Sequence, residues 1–381
     1  YRWVGLDDDW QCGRERGEDS IPKADALKFP NGMKALGDYL HERGMKFGVY
    51  SDAALRTCDN KFGSYMYEDV DARTYAEWGV DFLKYDYCWV PELEIGNPNE
   101  RPTAEYLYGR MGDALASCGR DIVFYMCNWG RTAPWQWGHN VGASTWRATA
   151  DHRDGWYGRR EPDDLENLQR GGVGMWEELV LWPKFWQYTG VNHFSDADML
   201  CIGIRGRGKE SSRLLCDVDY NPVDSIFMRD GKEYLGFTTD EARTEFVMWC
   251  MWSSPLMLSL DVRDSIDPVD YATITNPELI AVNQDPMGQA AEYLGERDGF
   301  QLWAKDLADG DVAVAVVNMN DNPADYILDG SEIDALEPGQ VYSVRDLINR
   351  ADVDDFSGIW PFSLPAHATM AVRLSAKPRV K

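Results

Sequence analysis

The run Gly79-Val80-Asp81-Phe82-Leu83-Lys84-Tyr85-Asp86-Tyr87-Cys88 decides the fold. Val80, Phe82 and Leu83 give it a short apolar body, the length of a buried strand. It ends in Lys84 and Asp86, two ionisable side chains spaced by two and so on one face. Charges at a strand end are costly to bury unless paired. In a barrel of alternating strands and helices, the C-terminal ends of the strands carry the chemistry. A salt-bridged strand end without function is the alternative that this stretch alone leaves open.

Working outward, strands and helices alternate. Residues 45–52 read as a strand that again ends in an acid, Asp52. Residues 68–78 read as a helix closed by Gly79, and Pro30-Asn31-Gly32 opens another with Met33, Leu36, Tyr39 and Leu40 on one face. Downstream come a helix over 103–116 (Tyr106, Leu107, Met111 and Leu115 inward), a strand over 121–129 and a short strand over 144–148. A mostly helical stretch, 163–188, precedes a strand-like 199–202. A polar insertion, 203–237, is followed by a helix over 239–251, a strand over 255–260 and a helix over 276–283. Such alternation predicts a parallel α/β fold. Polar residues close several strands (Asp7, Asp8, Asp52, Asp86 and Asn128), which favours a closed (β/α)8 TIM barrel over a doubly wound sheet. No G-x-G-x-x-G follows a strand. After Gly288 only β-like runs occur, at 299–304, 311–318 and 368–374, so a C-terminal antiparallel β-sandwich is expected. The expected division is 1–288 for the barrel and 289–381 for the sandwich.

Composition narrows the chemistry. The chain has 381 residues, 44% of them hydrophobic, enough for a large core and a smaller one. A net charge of −26 argues against nucleic acid and anionic membrane surfaces as partners, and no apolar run approaches the roughly 18 residues that span a bilayer. The 16 Trp suit sugar stacking as well as core packing. Eight Cys form no C-x-x-C pair and the five His no ligand-spaced cluster, so neither a metal nor another cofactor is expected. Carboxylates remain as the reactive groups, and two of them facing each other can cleave a glycosidic bond. Asp86 with Lys84 fits an ionised nucleophile. Composition does not choose its partner among 64 acidic residues.

Seven motifs in order make the sequence resemble glycoside hydrolase family 27, the α-galactosidase and α-N-acetylgalactosaminidase group. They are Leu6-Asp7-Asp8-Asp9-Trp10; Gly48-Val49-Tyr50-Ser51-Asp52 with Thr57-Cys58; Leu83-Lys84-Tyr85-Asp86-Tyr87-Cys88; Cys127-Asn128-Trp129-Gly130; Trp146-Arg147-Ala148-Thr149-Ala150-Asp151; Ser195-Asp196-Ala197-Asp198-Met199-Leu200; and Ile280-Ala281-Val282-Asn283-Gln284-Asp285-Pro286-Met287-Gly288. The resemblance implies a retaining exo-glycosidase acting on terminal galactose, with Asp86 as nucleophile and Asp151 as acid/base; the alternatives are the same fold acting on α-N-acetylgalactosaminides or β-L-arabinopyranosides, or a non-catalytic carbohydrate-binding barrel. Asp7 and Asp8 would hold the sugar's O4 and O6, Lys84 and Arg147 would orient the carboxylates, and Tyr50 would line the pocket. Asn128 and Trp129 would face the sugar, and Asp196 would sit near the acid/base. Cys58 and Cys88 would form the family's active-site disulfide, which points to an oxidising, secreted or periplasmic setting. A homo-oligomer stays open.

Blander readings of the same residues exist. Asp7-Asp8-Asp9 makes a solvated turn, and Arg147 with Asp151 an i, i+4 surface ion pair. Asn128-Trp129 makes a turn with a core Trp. His152 reads as a surface residue, and Cys118, Cys201 and Cys250 as buried thiols. The ordered motif set overrides these readings for Asp86, Asp151, Asp7 and Asp8. The chain also departs from the family. Its first strand, with a Gly-Trp-Asn-Ser-Trp motif, would precede Tyr1. Asp9 stands where a Cys is usual, Cys127 lacks its usual partner, and Asn128 occupies the place of a Glu that reads the C2 substituent. Ser195 and Ala197 replace Asn and Pro, and the 203–237 insertion, with Arg205, Arg207 and Cys216, is expected to wall the aglycone side.

Overall fold

The structure, a computed structural model, describes residues 1–158, 172–205, 228–229, 232–233, 236–263 and 265–378. It divides into two compact units, Tyr1–Ala148 and Thr149–Lys381.

The first unit alternates strands and helices. Its order is β1 (Trp3–Gly5), α1 (Gly32–His41), β2 (Lys46–Asp52), α2 (Glu68–Trp78), β3 (Phe82–Asp86), α3 (Arg101–Ser117), β4 (Val123–Met126) and β5 (Thr145–Arg147). The five strands are parallel and lie side by side in chain order. β3 is the quoted stretch, and its register sets Tyr50 beside Lys84 and Asp52 beside Asp86. Gly79 caps α2 at φ +77°, a left-handed turn that costs glycine little and feeds the chain straight into β3.

The core of this unit joins Phe47, Val49, Leu83, Tyr85, Phe124 and Met126 from the strands to Met33, Tyr75, Leu107 and Met111 from the helices. Two face assignments need correction. Tyr39 and Tyr106 are about half exposed. On α1 the inward place is taken by Gly37, where a Cβ would meet the Trp78 carbonyl oxygen at 2.4 Å. Close helix packing selects a small residue there, which an apolar periodicity does not register. On α2 the inward face carries acids. Buried Asp71 accepts from Arg16 Nη1 at 2.7 Å, and Glu68 accepts from Arg110 at 2.7 and 2.8 Å.

In the second unit, α4 (Met175–Leu181) precedes β6 (Phe194–Asp196), a two-residue ladder of β7 (Met228–Arg229) and β8 (Lys232–Glu233), then α5 (Thr239–Met251), α6 (Pro268–Ile274) and α7 (Pro277–Asn283). The strand expected over 199–202 and its counterpart over 255–260 reduce to one parallel bridge, Leu200 to Leu258. Leu200 donates to the Met257 carbonyl at 2.7 Å, and the Ser259 amide and hydroxyl both donate to the Leu200 carbonyl, at 3.1 and 2.8 Å, while Pro255 has no N–H to extend the pairing. Of the helix expected over 163–188, α4 and two tight turns before Thr189 are described; Pro183 sits in the first of them. Residues 159–171 lie outside the described residues. So does most of the expected wall, 206–227 with Arg207 and Cys216, while Arg205 is ion-paired to Asp270. The short helix α6 has no counterpart among the expected elements.

Eight further strands follow: β9 (Glu292–Arg297), β10 (Phe300–Asp306), β11 (Val312–Asn318), β12 (Ala324–Asp329), β13 (Tyr342–Asp346), β14 (Ala351–Phe356), β15 (Ile359–Leu364) and β16 (Thr369–Ala376). Six form one antiparallel sheet in the order β14-β13-β16-β11-β10-β9, and β12 pairs with β15. Alternate residues Phe300, Leu302, Val314, Val316, Val372 and Leu374 fill the space between the sheets with Tyr326 and Leu328. Over β10 and β11 the opposite face of the larger sheet is also buried. There Lys305 of β10 donates to the carbonyls of Cys250 and Val282, near the C-termini of α5 and α7, and to Ser253 Oγ at 2.7 Å.

Candidate active site

In the first unit, polar groups gather where the parallel strands end. Asp86 closes β3 and is buried. Its Oδ2 accepts from the Tyr50 hydroxyl at 2.9 Å, and its Oδ1 accepts from the Tyr87 amide at 2.9 Å. Burial first, and the Asp86 charge second, push the Tyr50 phenol well above its ordinary pKa, so it remains a donor to the carboxylate. Cys58 and Cys88 form a disulfide, and Cys58 Sγ lies 3.7 Å from Asp86 Oδ2. The loops after β2 and β3 are therefore covalently tied around this carboxylate.

Lys84, two residues back on the same face, holds Asp7 Oδ2 at 2.7 Å. Desolvation pushes the Asp7 carboxyl up, but the Lys84 ammonium and its hydrogen bond outweigh it, and the group sits below its usual range. Asp8 accepts from the Asp59 amide at 2.9 Å, and desolvation raises its carboxyl. Asp9 diverges from both. It pairs with Lys28 and with Lys61 and belongs to the surface. The turn reading thus holds for Asp9, while Asp7 is tied to the β3 cation.

Asn128 is buried beyond the end of β4. Its Nδ2 donates to the Arg131 carbonyl at 2.6 Å and to Thr132 Oγ1 at 3.1 Å, while Oδ1 has no hydrogen-bond partner among the described residues. Trp129, half-buried in the following turn at φ +54°, stacks under the Arg131 guanidinium at 4.9 Å. Arg147 is buried on β5, with Nη1 3.8 Å from Cys127 Sγ, and is not a helix-surface residue.

Asp52 is a further acid at this end of the sheet, to which the sequence motifs assign no role. It is fully buried beside Asp86, accepting from the amides of Ala54 at 2.8 Å and Cys88 at 2.9 Å. Burial, then the Asp86 charge, push its carboxyl well above the ordinary range. Its place at the end of an apolar strand was the available signal. The acceptor atoms of Asp52 and Asp86 and the two disulfide sulfurs lie within 4.8 Å of one another, but the bonded sulfurs are not thiolate ligands.

In the second unit, Asp151 keeps 44% of its side chain exposed and pairs with Arg153 at 3.4 Å. Asp196 closes β6, is buried, and accepts from the Asp198 amide at 3.1 Å and from Ser254 Oγ at 3.4 Å. His152 is buried, contrary to the surface placement expected of it. Its Nε2 lies 3.0 Å from Glu245 Oε1, and Glu245 also accepts from the amides of Cys201 and Ile202. His152, Cys201 and Glu245 come within 4.8 Å of one another. Glu245 is already satisfied, and burial holds the Cys201 thiol protonated, so the trio is a hydrogen-bonded core node rather than a ligand set. Cys201 and Cys250 are buried thiols as expected, whereas Cys118 is only half-buried.

Parallel strand ends that gather carboxyls shifted in opposite directions around a basic side chain are the equipment of a glycoside hydrolase. Two family descriptions match the chain: "Alpha galactosidase A" over residues 1–216 and "Alpha galactosidase C-terminal beta sandwich domain" over residues 297–374. An alpha-galactosidase A of Cellvibrio japonicus is 31% identical over 99% of this chain and 83% of its own length. An alpha-galactosidase of Cyamopsis tetragonoloba is 33% identical over 97% of this chain and 75% of its own. The crystal structure of alpha-galactosidase I from Mortierella vinacea superposes with a TM-score of 0.83 at 28% identity, over 98% of this chain and 87% of that one. The chain belongs to the alpha-galactosidase family, glycoside hydrolase family 27. The parallel sheet and the antiparallel C-terminal sheets fit that family's TIM-like barrel and β-sandwich.

Proposed function

We propose that the protein releases terminal α-linked D-galactose with retention, through a covalent galactosyl-enzyme. Asp86 attacks the anomeric carbon while Asp151 gives its proton to the leaving glycosidic oxygen. Asp151 then takes a proton from water, which displaces Asp86 and restores both carboxyls. The observation that carries this reading is the setting of Asp86: a buried strand-end carboxylate held by the Tyr50 hydroxyl and framed by the Cys58–Cys88 bridge. Fixed geometry of that kind is what a nucleophile needs in order to meet one carbon atom.

The neighbours take supporting parts. Asp7, Asp8 and Lys84 bind the hydroxyls at O4 and O6, whose axial and exocyclic positions mark galactose. Asn128 Oδ1, which has no hydrogen-bond partner among the described residues, accepts from the 2-hydroxyl. Trp129 and Arg147 line the same sugar subsite, and Asp196 supports the acid/base. The barrel is read as (β/α)8 over residues 1–288, with the sandwich over 289–381. No cofactor enters the reaction.

The test compares p-nitrophenyl α-D-galactoside, α-N-acetylgalactosaminide and β-L-arabinopyranoside on the wild type and on Asp86→Ala. The first substrate should be strongly preferred, and the variant should stay folded and lose turnover. A preference for the arabinopyranoside, or undiminished activity in Asp86→Ala, would overturn the proposal.

A further inference from the structure

Asp151 stands on a segment that is anchored to the C-terminal sandwich. The chain from 151 to 156 runs beside residues 173–176. Val173 donates to the Asp151 carbonyl at 2.8 Å, Arg153 to Val173 at 2.9 Å, Met175 to Gly155 at 3.1 Å and Trp176 to Trp156 at 2.7 Å. This strip ends on Trp156, which is buried. The Trp156 ring lies flat on the imidazole of His367, with centroids 4.1 Å apart and planes 9° apart. His367 lies between β15 and β16. The next residue, Tyr157, donates its hydroxyl to Asp321 at 2.8 Å, between β11 and β12.

His367 is itself fixed from several sides. Its Nδ1 lies 2.6 Å from Glu241 Oε1, and its Nε2 lies 3.1 Å from Asp321 Oδ1. Glu241 belongs to the first turn of α5 and also accepts the Thr238 amide at 2.7 Å, so the imidazole is tied to a helix cap. The His367 backbone has φ +61°, an uncommon conformation for a residue with a side chain. Thr244 Oγ1 holds that turn by donating to the His367 carbonyl at 2.7 Å.

We infer that His367, with Asp321, is a positioning residue for the acid/base: the sandwich clamps Trp156 and Tyr157 and thereby fixes where Asp151 presents its proton. The inference rests on the assignment of Asp151 as acid/base. It gives the C-terminal domain a part in the proton-transfer half of the reaction, and none in the attack by Asp86.

The test exploits leaving-group demand. A methyl α-galactoside leaves only with a proton from the acid, whereas a dinitrophenyl α-galactoside departs unaided. Asp151→Asn sets the reference split: kcat/KM for the methyl glycoside should fall by about 10²–10⁴ and that for the dinitrophenyl glycoside by little. His367→Ala should show the same split, about 10–100-fold on the methyl glycoside and about twofold at most on the other, because a misplaced acid fails only where acid is needed. Asp321→Ala combined with Tyr157→Phe removes the outer clamp while leaving the imidazole, and should show a smaller split of the same sense if His367→Ala does not fold. Equal losses on both substrates, or no loss, in variants whose Asp151→Asn reference splits would overturn the positioning role alone. Absence of a split in Asp151→Asn would overturn the acid/base assignment, and the positioning role with it.

Discussion

Tyr50→Phe isolates one atom of the proposed machinery. Tyr50 is buried, so phenylalanine fills its place and only the hydroxyl at 2.9 Å from Asp86 Oδ2 is lost. A hydrogen bond to a charged group contributes about 1.5–3 kcal/mol. That bond is strongest when Asp86 is a full anion, weaker in the glycosylation transition state and weakest in the galactosyl ester. Removing it therefore slows the step in which the carboxylate departs. With a dinitrophenyl galactoside, whose first step needs no acid, kcat reports deglycosylation and should fall about 10–100-fold, the rate equivalent of those energies. The carboxyl also loses a bond that favours its ionised form, so the acid limb of the kcat/KM profile should move to higher pH. Steady-state rates from pH 3 upward, with a burst measured in stopped flow, read both effects. An unchanged kcat together with an unmoved acid limb would refute the reasoning.

Three further outcomes are expected. Reducing the Cys58–Cys88 bridge, which closes a separation of 30 residues, should destabilise the first unit by about 3–4 kcal/mol on a chain-entropy estimate and lower activity in parallel; thermal unfolding with and without dithiothreitol reads this. Asp52→Asn places an amide NH2 against one of two backbone N–H donors, so a loss of about 1–3 kcal/mol in chemical denaturation is expected despite the isosteric shape. Burial pulls the Lys305 ammonium down to about 8 from 10.5, so the unfolded chain binds the extra proton between those values and stability rises with pH across that window, by roughly 3 kcal/mol. Lys305→Met should lack this rise, and parallel wild-type and variant stability curves from pH 7 to 10.5 would contradict it.

The elements visible in the sequence were those whose pattern is local. α2 and α5 match their expected bounds because apolar spacing, a capping Thr238 and a closing Gly79 all lie within the helix or next to it. β3 was legible as a strand with a reactive end, and its partners followed only from the ordered motif set. What stayed hidden depended on distant neighbours. Gly37 faces inward because of a carbonyl at Trp78, and His152 is buried because Glu245, 93 residues later, receives it. Asp52 looked like one more polar strand end, and its shifted carboxyl arises from the register that sets it beside Asp86. The strands expected over 199–202 and 255–260 had the right composition, but their backbone pairing stops at the single Leu200–Leu258 bridge, and Pro255 has no N–H to extend it. The clamp of Trp156 by His367 joins positions 211 residues apart (367 − 156) and leaves no periodic trace.

The central claim is that Asp86 forms the covalent bond to the sugar. Incubating the enzyme with a fluorinated galactosyl fluoride, which forms the galactosyl-enzyme faster than water releases it, and sequencing the labelled peptide by mass spectrometry tests this directly. One adduct is expected, on Asp86 within the peptide that ends β3. An adduct on any other residue, or no adduct with an inverted sugar as first product in the proton NMR spectrum, would contradict it.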